Sequence, residues 1–238
     1  MALVKFGGGI TQMSGSIAGN TFARNRFGNY VRSRTKPVNP SSERQNLVRA
    51  TLAYLTEHWA ETVTPEEREA WGVYAAGTPM KNKLGETIKL TGFNHFIRSN
   101  ANLHRRGETI VAAGPAINGL PDQDPSLRIT TEVHEQRFNI YFNSDMAWAS
   151  EEAGWMWILQ GMPQSPQRNF FGGPYRGMKD KNGETPGPLA SPEQSTNLWV
   201  VTAGQKVWYK IRLQRADGRI SEPWTVVSDV VAGPLPPE

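Results

Sequence analysis

The 238-residue sequence contains no cysteine, which excludes disulfides, a thiolate nucleophile and zinc sites built on cysteine. No apolar run approaches the roughly 18 residues of a membrane-spanning helix, and the N-terminus lacks a signal-peptide pattern. We therefore expect no membrane partner. Charged residues make up only 20% of the chain and apolar residues 38%. Eight tryptophans nevertheless indicate a largely folded protein.

Catalytic and cofactor motifs are missing as well. The glycines at residues 7–9 are not followed by the Gly-Lys-Ser/Thr of a phosphate-binding loop, and no Gly-x-Ser-x-Gly motif occurs. Asp122 and Asp124 have no further ligands at metal-loop spacing. The histidines are too scattered to form a ligand pair: His58, His95, His104 and His134. We predict a binding protein without catalytic residues, metal or cofactor.

Charge is distributed unevenly along the chain. Residues 1–50 contain eight basic side chains and one acidic side chain, a net charge of +7. Residues 51–107 are nearly neutral at +1, and residues 108–238 carry −4. A basic segment of this kind favours an acidic partner, which leaves a protein surface and a nucleic acid as alternatives.

Residues 1–40 are predicted to form an extended basic arm with one or two short strands. Glycine and serine are frequent, and Pro37 and Pro40 interrupt regular structure. Aromatic rings would supply buried anchors, and cations would supply salt-sensitive contacts. The predicted partner-binding residues are Phe22, Arg24, Arg26, Phe27, Tyr30, Arg32, Arg34 and Lys36. A solvated flexible tail is the third alternative for this segment.

Residues 41–107 are predicted to form a small helical domain of three helices that ends at Gly107. Typical N-cap residues precede the helices: Ser41 or Ser42, Thr64 with Glu67 in a capping box, and Thr91. The apolar face predicted for the first helix comprises Val48, Leu52, Leu55 and Trp59. Residues 108–126 are rich in proline and glycine and are predicted to be a linker.

Residues 127–238 alternate between apolar and polar side chains with intervening turns, which predicts an antiparallel β-sandwich. The candidate strands are 127–133, 137–142, 155–160, 198–202, 207–214 and 224–231. Residues 161–197 are predicted to be a long Gly/Pro-rich insertion. The expected fold class is therefore a multidomain α+β protein with a basic arm, a helical domain and a sandwich.

Three tryptophans are candidate contact residues of this sandwich. Trp155 and Trp157 share one face of their strand, and Trp208 lies on the opposite face from Val207 and Tyr209. Exposed aromatic rings on a β-sandwich can stack on sugars, whereas buried rings belong to a core or an interface. Glycan binding and interface packing both stay open for these side chains.

Two parts of the sequence resemble known proteins. Residues 15–32 read GSIAGNTFARNRFGNYVR, and they precede Pro37-Val38-Asn39-Pro40 and then Thr64, Arg68 and Trp71. This pattern resembles an uncharacterised family from tailed phages and prophages, in which a GxIxGxxFxRNRxGxYxRxRxxPxNP arm precedes helices. The resemblance covers about residues 14–75. Residues 127–232 are similar to fibronectin-III-like or immunoglobulin-like modules, through AGQKVWYKIR at 203–212 and ADGR at 216–219.

The phage resemblance implies a structural protein of a virion, assembled in the host cytoplasm, without catalytic residues. We expect a head-associated protein that decorates or stabilises the capsid and whose arm anchors it to other virion proteins, above all the major capsid protein. A homo-oligomer is compatible with this expectation. The first alternative is a neck or tail protein with a glycan-binding sandwich, and the second is a nucleic-acid-binding protein that acts through the arm.

Overall fold

The computed structural model describes residues 2–3, 7–10, 13–25, 28–36, 38–81 and 86–232. In these residues the fold is mixed α and β, as predicted, with three α-helices and a large curled β-sheet. The chain divides into two compact units, Met1–Asn46 and Leu47–Glu238.

The N-terminal unit contains a four-stranded antiparallel sheet. Its strands, in the order β1-β4-β3-β2, are β1 (Ala2–Leu3), β2 (Gly15–Ile17), β3 (Asn20–Asn25) and β4 (Gly28–Ser33). A two-residue turn, Ala18 and Gly19, joins β2 to β3. The sequence predicts one or two short strands here, and the structure has four. A tight turn fixes the register of a hairpin without the help of a core.

The helices and a small hairpin follow. They are α1 (Glu43–Glu61), α2 (Pro65–Gly77), β5 (Met80–Lys81), β6 (Thr87–Ile88) and α3 (Gly92–Arg106). The predicted capping box of α2 is confirmed, since Glu67 N donates to the Thr64 hydroxyl at 3.3 Å and Thr64 N donates to the Glu67 carboxylate at 2.8 Å. Gly107 ends α3 with φ 85°, a left-handed conformation that glycine adopts freely.

One predicted position on α1 is wrong. Leu55 is fully buried as expected, but Leu52 is 44% exposed and Thr51 is buried instead. The Thr51 hydroxyl donates to Leu47 O at 2.9 Å, so this polar side chain enters the core without losing a hydrogen bond. A prediction based on the spacing of apolar residues does not count threonine, and it therefore assigns the neighbouring Leu52 to the buried face.

The helical core is aromatic. Trp71, Tyr74 and Phe96 pack together with Leu55, and the Trp71 and Phe96 rings meet edge to face with centroids 5.8 Å apart. This arrangement is among the favourable geometries for aromatic pairs. His95 lies edge-on to Tyr74 in the same region, with ring centroids 5.1 Å apart.

His95 is a buried histidine, and neither ring nitrogen has a hydrogen-bond partner among the described residues. Burial, and secondarily the charge of Arg98, lowers its pKa below the usual value of 6.5. The unfolded chain therefore takes up a proton at a higher pH than the folded chain does. The resulting stability is present above about pH 6.5 and is lost as the pH falls below it.

We expect the free energy of unfolding to fall as the pH is lowered from about 7 to about 5, with a contribution of at most about 1.4 kcal/mol per pH unit from this proton. His95→Phe keeps a ring beside Tyr74 and should flatten that slope. Chemical denaturation at each pH measures the slope. An equal slope in His95→Phe and the parent protein would contradict the assignment.

Residues 108–126, predicted to be a linker, have no regular secondary structure, but side chains of α2 and α3 hold them. Asn100 both donates to and accepts from the backbone of Val111. Trp71 Nε1 donates to Ala112 O at 2.8 Å. Gly114 lies so close to α2 that a Cβ on it would be 2.5 Å from Trp71 N. This segment belongs to the same compact unit as the helices and the large sheet.

The large sheet has seven strands. They are β7 (Arg128–Glu132), β8 (Arg137–Tyr141), β9 (Trp155–Gly161), β10 (Tyr175–Asn182), β11 (Glu193–Thr196), β12 (Lys206–Gln214) and β13 (Trp224–Val231). Their order is β10-β9-β12-β13-β7-β8-β11, and the pairs are antiparallel except for a short parallel contact between β13 and β7.

This sheet curls strongly. The rings of Phe138 on β8 and Tyr209 on β12 have centroids 4.8 Å apart, and the Thr131 and Tyr209 hydroxyls are 2.9 Å apart. Two strands separate β8 from β12, and adjacent strands are about 4.8 Å apart, so a flat sheet would separate them by about 14 Å. Curling therefore brings inward-facing side chains from both halves of the sheet into one core.

Two stretches of the β-domain differ from the sequence prediction. Residues 161–197 contain the strands β10 and β11, which pair with β9 and β8. Residues 198–202, predicted to be a strand, are not assigned to one. Both additional strands lie at the edges of the sheet and are mostly polar, as edge strands often are. They therefore lack the alternation of apolar and polar residues from which a strand is predicted.

Candidate docking surface on the N-terminal sheet

The N-terminal sheet has no buried side chain in its described part. Every side chain that the structure describes in β2, β3 and β4 is partly or fully exposed, and Ile17 is 63% exposed. Small β-sheets are marginally stable in water unless a hydrophobic face packs against something else. The sheet therefore has a face that a partner can cover.

One face of this sheet is apolar with a basic margin. Phe22 pairs with Val31, and directly paired residues share a face. Ile17 pairs with Asn20, two residues before Phe22, and so lies on the same face. Arg24, two residues after Phe22, also lies there. We call Ile17, Phe22, Arg24 and Val31 the Phe22 face.

The opposite face contains the second aromatic ring. Tyr30 pairs with Ala23, and Arg32 pairs with Thr21. The Ser16 and Thr21 hydroxyls are 2.9 Å apart, as this register requires. Four of the predicted partner-binding residues thus form two pairs of a ring and a cation on opposite faces, whereas the sequence alone predicts a single set. The two pairs are Phe22 with Arg24 and Tyr30 with Arg32.

The cations of this unit are exposed. In the described part they are Arg24, Arg32, Arg34, Lys36 and Arg44, and none of the five forms an ion pair with another described residue. The single acidic residue among residues 1–46 is Glu43. Arg26 and Phe27, which are also predicted to bind the partner, lie outside the described residues. This concentration of one charge sign creates a positive potential that favours acidic surfaces.

Ile17 and Val31 were not among the residues predicted from the sequence to bind the partner, and the strand register of the structure adds them. The sequence does contain a signal for them, which is the short turn at residues 18–19. A two-residue turn pairs the residues on either side of it, and alternation from there places Ile17, Phe22 and Val31 on one face.

The candidate tryptophans of the β-domain are buried. Trp155 and Trp157 are 6% and 2% exposed and stack on each other with centroids 5.1 Å apart, in a cluster with Leu103 of α3. Trp208 is also buried, and its ring centroid is 5.9 Å from that of Phe171. Of the two interpretations of these rings, the positions fit packing within the chain. None of these three rings is exposed for a sugar to stack on.

A buried glutamine links this tryptophan pair to α3. The Gln214 side chain accepts a hydrogen bond from Trp157 Nε1 at 2.7 Å and donates one to Ser99 O at 2.9 Å. Trp157→Phe should lower the free energy of unfolding by about 1–3 kcal/mol, because the buried Gln214 oxygen loses its donor. Chemical denaturation measures the loss.

Trp155→Phe is the matched control, since it shortens a ring of the same stack that has no hydrogen bond to another described residue. Its loss of stability should be smaller than that of Trp157→Phe. Equal losses from the two substitutions would show that the Gln214 hydrogen bond contributes nothing.

Arg98 is the second link between α3 and the β-domain. Its guanidinium donates to Ile220 O and Ser221 O, which lie between β12 and β13. Burial, and then the neighbouring charge of Arg212, lowers the pKa of Arg98 to about 10. The group is therefore charged at neutral pH, and two backbone carbonyls solvate it.

In the described part of the chain, no three His, Asp or Glu side chains cluster as ligands for a metal ion. None of its helices is long and apolar enough to cross a membrane.

Comparisons with known proteins give little. No protein-family model matches the sequence, and no curated protein matches it significantly. One similar solved structure is a family 76 glycoside hydrolase from a bovine Bacteroides thetaiotaomicron strain, with 14% identity and a TM-score of 0.32. The match covers 46% of this chain and 20% of the hydrolase chain. This chain spans only a fifth of that enzyme, and so distant a likeness carries no conclusion about fold or activity.

Proposed function

We propose that this protein is a structural component of a phage virion, a head-associated protein that decorates or stabilises the capsid. The observation that carries the proposal is the N-terminal sheet, which is small, basic, exposed on both faces and attached to a larger compact unit. Such a sheet gains stability when a partner covers it. The resemblance of residues 14–75 to tailed-phage proteins supports the virion as its location.

The partner that best suits this sheet is an acidic protein surface, in this proposal that of the major capsid protein. Ile17, Phe22 and Val31 on the Phe22 face would be buried, and each fully buried apolar side chain contributes about 1.5–3 kcal/mol. Arg24 at the margin would meet carboxylates of the shell. The role is therefore one of binding rather than catalysis, with steering from the remaining cations.

We also propose that the large sheet is an immunoglobulin-like or fibronectin-III-like sandwich. One layer would be β11-β8-β7 and the other β10-β9-β12-β13, joined at the short parallel contact. The contact between Phe138 and Tyr209 supports two facing layers with a common core. This domain would project from the shell or contact neighbouring subunits.

Nucleic-acid binding is the second candidate function. It is favoured by the pairing of a ring with a cation on each face, Phe22 with Arg24 and Tyr30 with Arg32, since single strands are bound by stacking and phosphate contacts. It predicts a steep salt dependence of DNA affinity that disappears when residues 1–40 are removed.

The number of copies in each purified virus particle tests the proposal, and quantitative mass spectrometry measures it. Hundreds of copies would support shell decoration. About three to a few dozen copies, as closed rings give, would place the protein at the neck or tail instead. A complete absence from the particles would reject the virion role and leave nucleic-acid binding to be tested.

A further inference from the structure

A cavity of about 280 Å³ lies in the second unit, separate from the N-terminal sheet in sequence and in unit. It opens between residues 120–122, the 3-10 helix Ala147–Ser150 and the end of β12. Leu120 and Leu213 supply part of an apolar wall. A cavity at the junction of several segments, with apolar walls and a few polar groups, is the usual form of a small-molecule site.

Trp148 forms part of the wall of this cavity. Trp148 is 1% exposed, and its buried Nε1 has no hydrogen-bond partner among the described residues. Nearly all buried donors in proteins are paired. The Nε1 atom itself has almost no accessible surface, so Trp148 reports on the cavity as part of its wall and does not donate to a ligand.

Two guanidinium groups line the same cavity. Arg219 is 8% exposed, and its Nε donates to Asp217 at 2.7 Å. Arg215 is oriented by the Glu151 carboxylate, which accepts from its Nε at 2.8 Å. Both terminal nitrogens of Arg219 have no hydrogen-bond partner among the described residues. Because each arginine is fixed by a carboxylate, both are held in place before any ligand arrives.

We propose that this cavity binds a carboxylate attached to a small apolar body, with the carboxylate on the terminal nitrogens of Arg219 and the apolar body against the leucines. The arginine fork matches a carboxylate better than any other common anion of this size, apart from phosphate. Asp122, exposed on the same lining, would repel a phosphate monoester, which carries nearly two negative charges at neutral pH. It would also repel a second carboxylate, so the ligand is a monocarboxylate.

Titration of the full-length protein with benzoate, followed by the indole N–H signals in NMR spectra, tests this proposal. Trp148→Phe identifies the Trp148 signal among the eight tryptophans. That signal should shift and saturate, because Trp148 lines the cavity. Benzamide, which has the same shape without the charge, should bind at least about tenfold more weakly than benzoate. A peptide that ends in phenylalanine, compared with its amidated form, distinguishes a protein C-terminus from a free acid as the source.

Two variants separate the site from the rest of the fold. Leu120→Trp fills the cavity without altering a charged group and should abolish the benzoate-induced shift. Arg219→Gln should weaken binding at least about tenfold, provided that the other indole signals stay in place as evidence of folding. The proposal is overturned if the Trp148 signal does not respond saturably to benzoate, if benzamide binds equally well, or if Leu120→Trp binds normally.

Discussion

A variant with glutamine at four exposed cations of the N-terminal unit should attach to virus particles about a hundredfold more weakly at low salt. The substitutions are Arg24→Gln, Arg32→Gln, Arg34→Gln and Lys36→Gln. An exposed ion pair contributes about 0.2–1 kcal/mol, so four pairs contribute about 1–4 kcal/mol, or a factor of about five to a thousand in affinity. Pelleting of the purified protein with particles assembled without it measures the loss.

The control is a variant that loses the same amount of charge elsewhere. In it, four exposed cations of the second unit are replaced by glutamine: Lys81, Lys89, Arg105 and Arg176. This control variant should bind nearly as the parent protein does. The difference between the two variants should shrink as salt is added, because screening weakens exposed charges. Equal losses of affinity in both variants would mean that only the net charge of the protein matters, and not the position of the cations in the N-terminal unit.

Gly114→Ala should lower the free energy of unfolding by about 2–4 kcal/mol. A Cβ at this position would lie 2.5 Å from Trp71 N and 2.6 Å from Ala70 C. Both atoms belong to the backbone of α2, so the segment that carries Gly114 must move away. That movement would also strain the hydrogen bond from Trp71 Nε1 to Ala112 O. Chemical denaturation measures the change.

Gly72→Ala on the same helix is the matched control. Its Cβ would have no atom within 4 Å, and alanine in a helix is more stable than glycine by up to about 1 kcal/mol. The two glycine-to-alanine changes should therefore have opposite signs. A neutral or stabilising Gly114→Ala would mean that residues 108–126 do not lie tightly against α2.

Local rules were sufficient where a side chain acts on its own backbone. The Thr64 and Glu67 capping box and the Gly107 helix end need no partner from elsewhere in the chain, and both are found as predicted. The inward residues of β12, among them Val207 and Tyr209, are buried as its alternation predicts. Such features are encoded within a few residues, so a sequence pattern can predict them. On the other face of β12, however, Trp208 and Gln214 are buried as well.

Features that depend on distant partners could not be predicted in this way. Trp155 and Trp157 lie on the outer face of their strand, and only the position of α3 decides that they are covered. Thr51 is buried because a backbone carbonyl pairs with its hydroxyl. The edge strands β10 and β11 are recognised by the strands they join, not by their own polar sequences.

The N-terminal sheet falls between these cases. Its basic and aromatic composition predicts an interaction segment, and that prediction stands untested. The division of Phe22 and Tyr30 between two faces follows from register, which composition does not contain. The structure therefore sharpens the hypothesis from a basic arm to one face, the Phe22 face, with Ile17 and Val31 added.

Hydrogen–deuterium exchange of the full-length protein, free and bound to virus particles that lack it, tests the central claim most directly. The account predicts that amides of β2, β3 and β4 exchange rapidly in the free protein and become strongly protected on the particle. The large sheet should change little, because its core is already complete. Protection confined to the second unit, with β2, β3 and β4 exchanging as fast as before, would contradict the claim that the N-terminal sheet is the docking element.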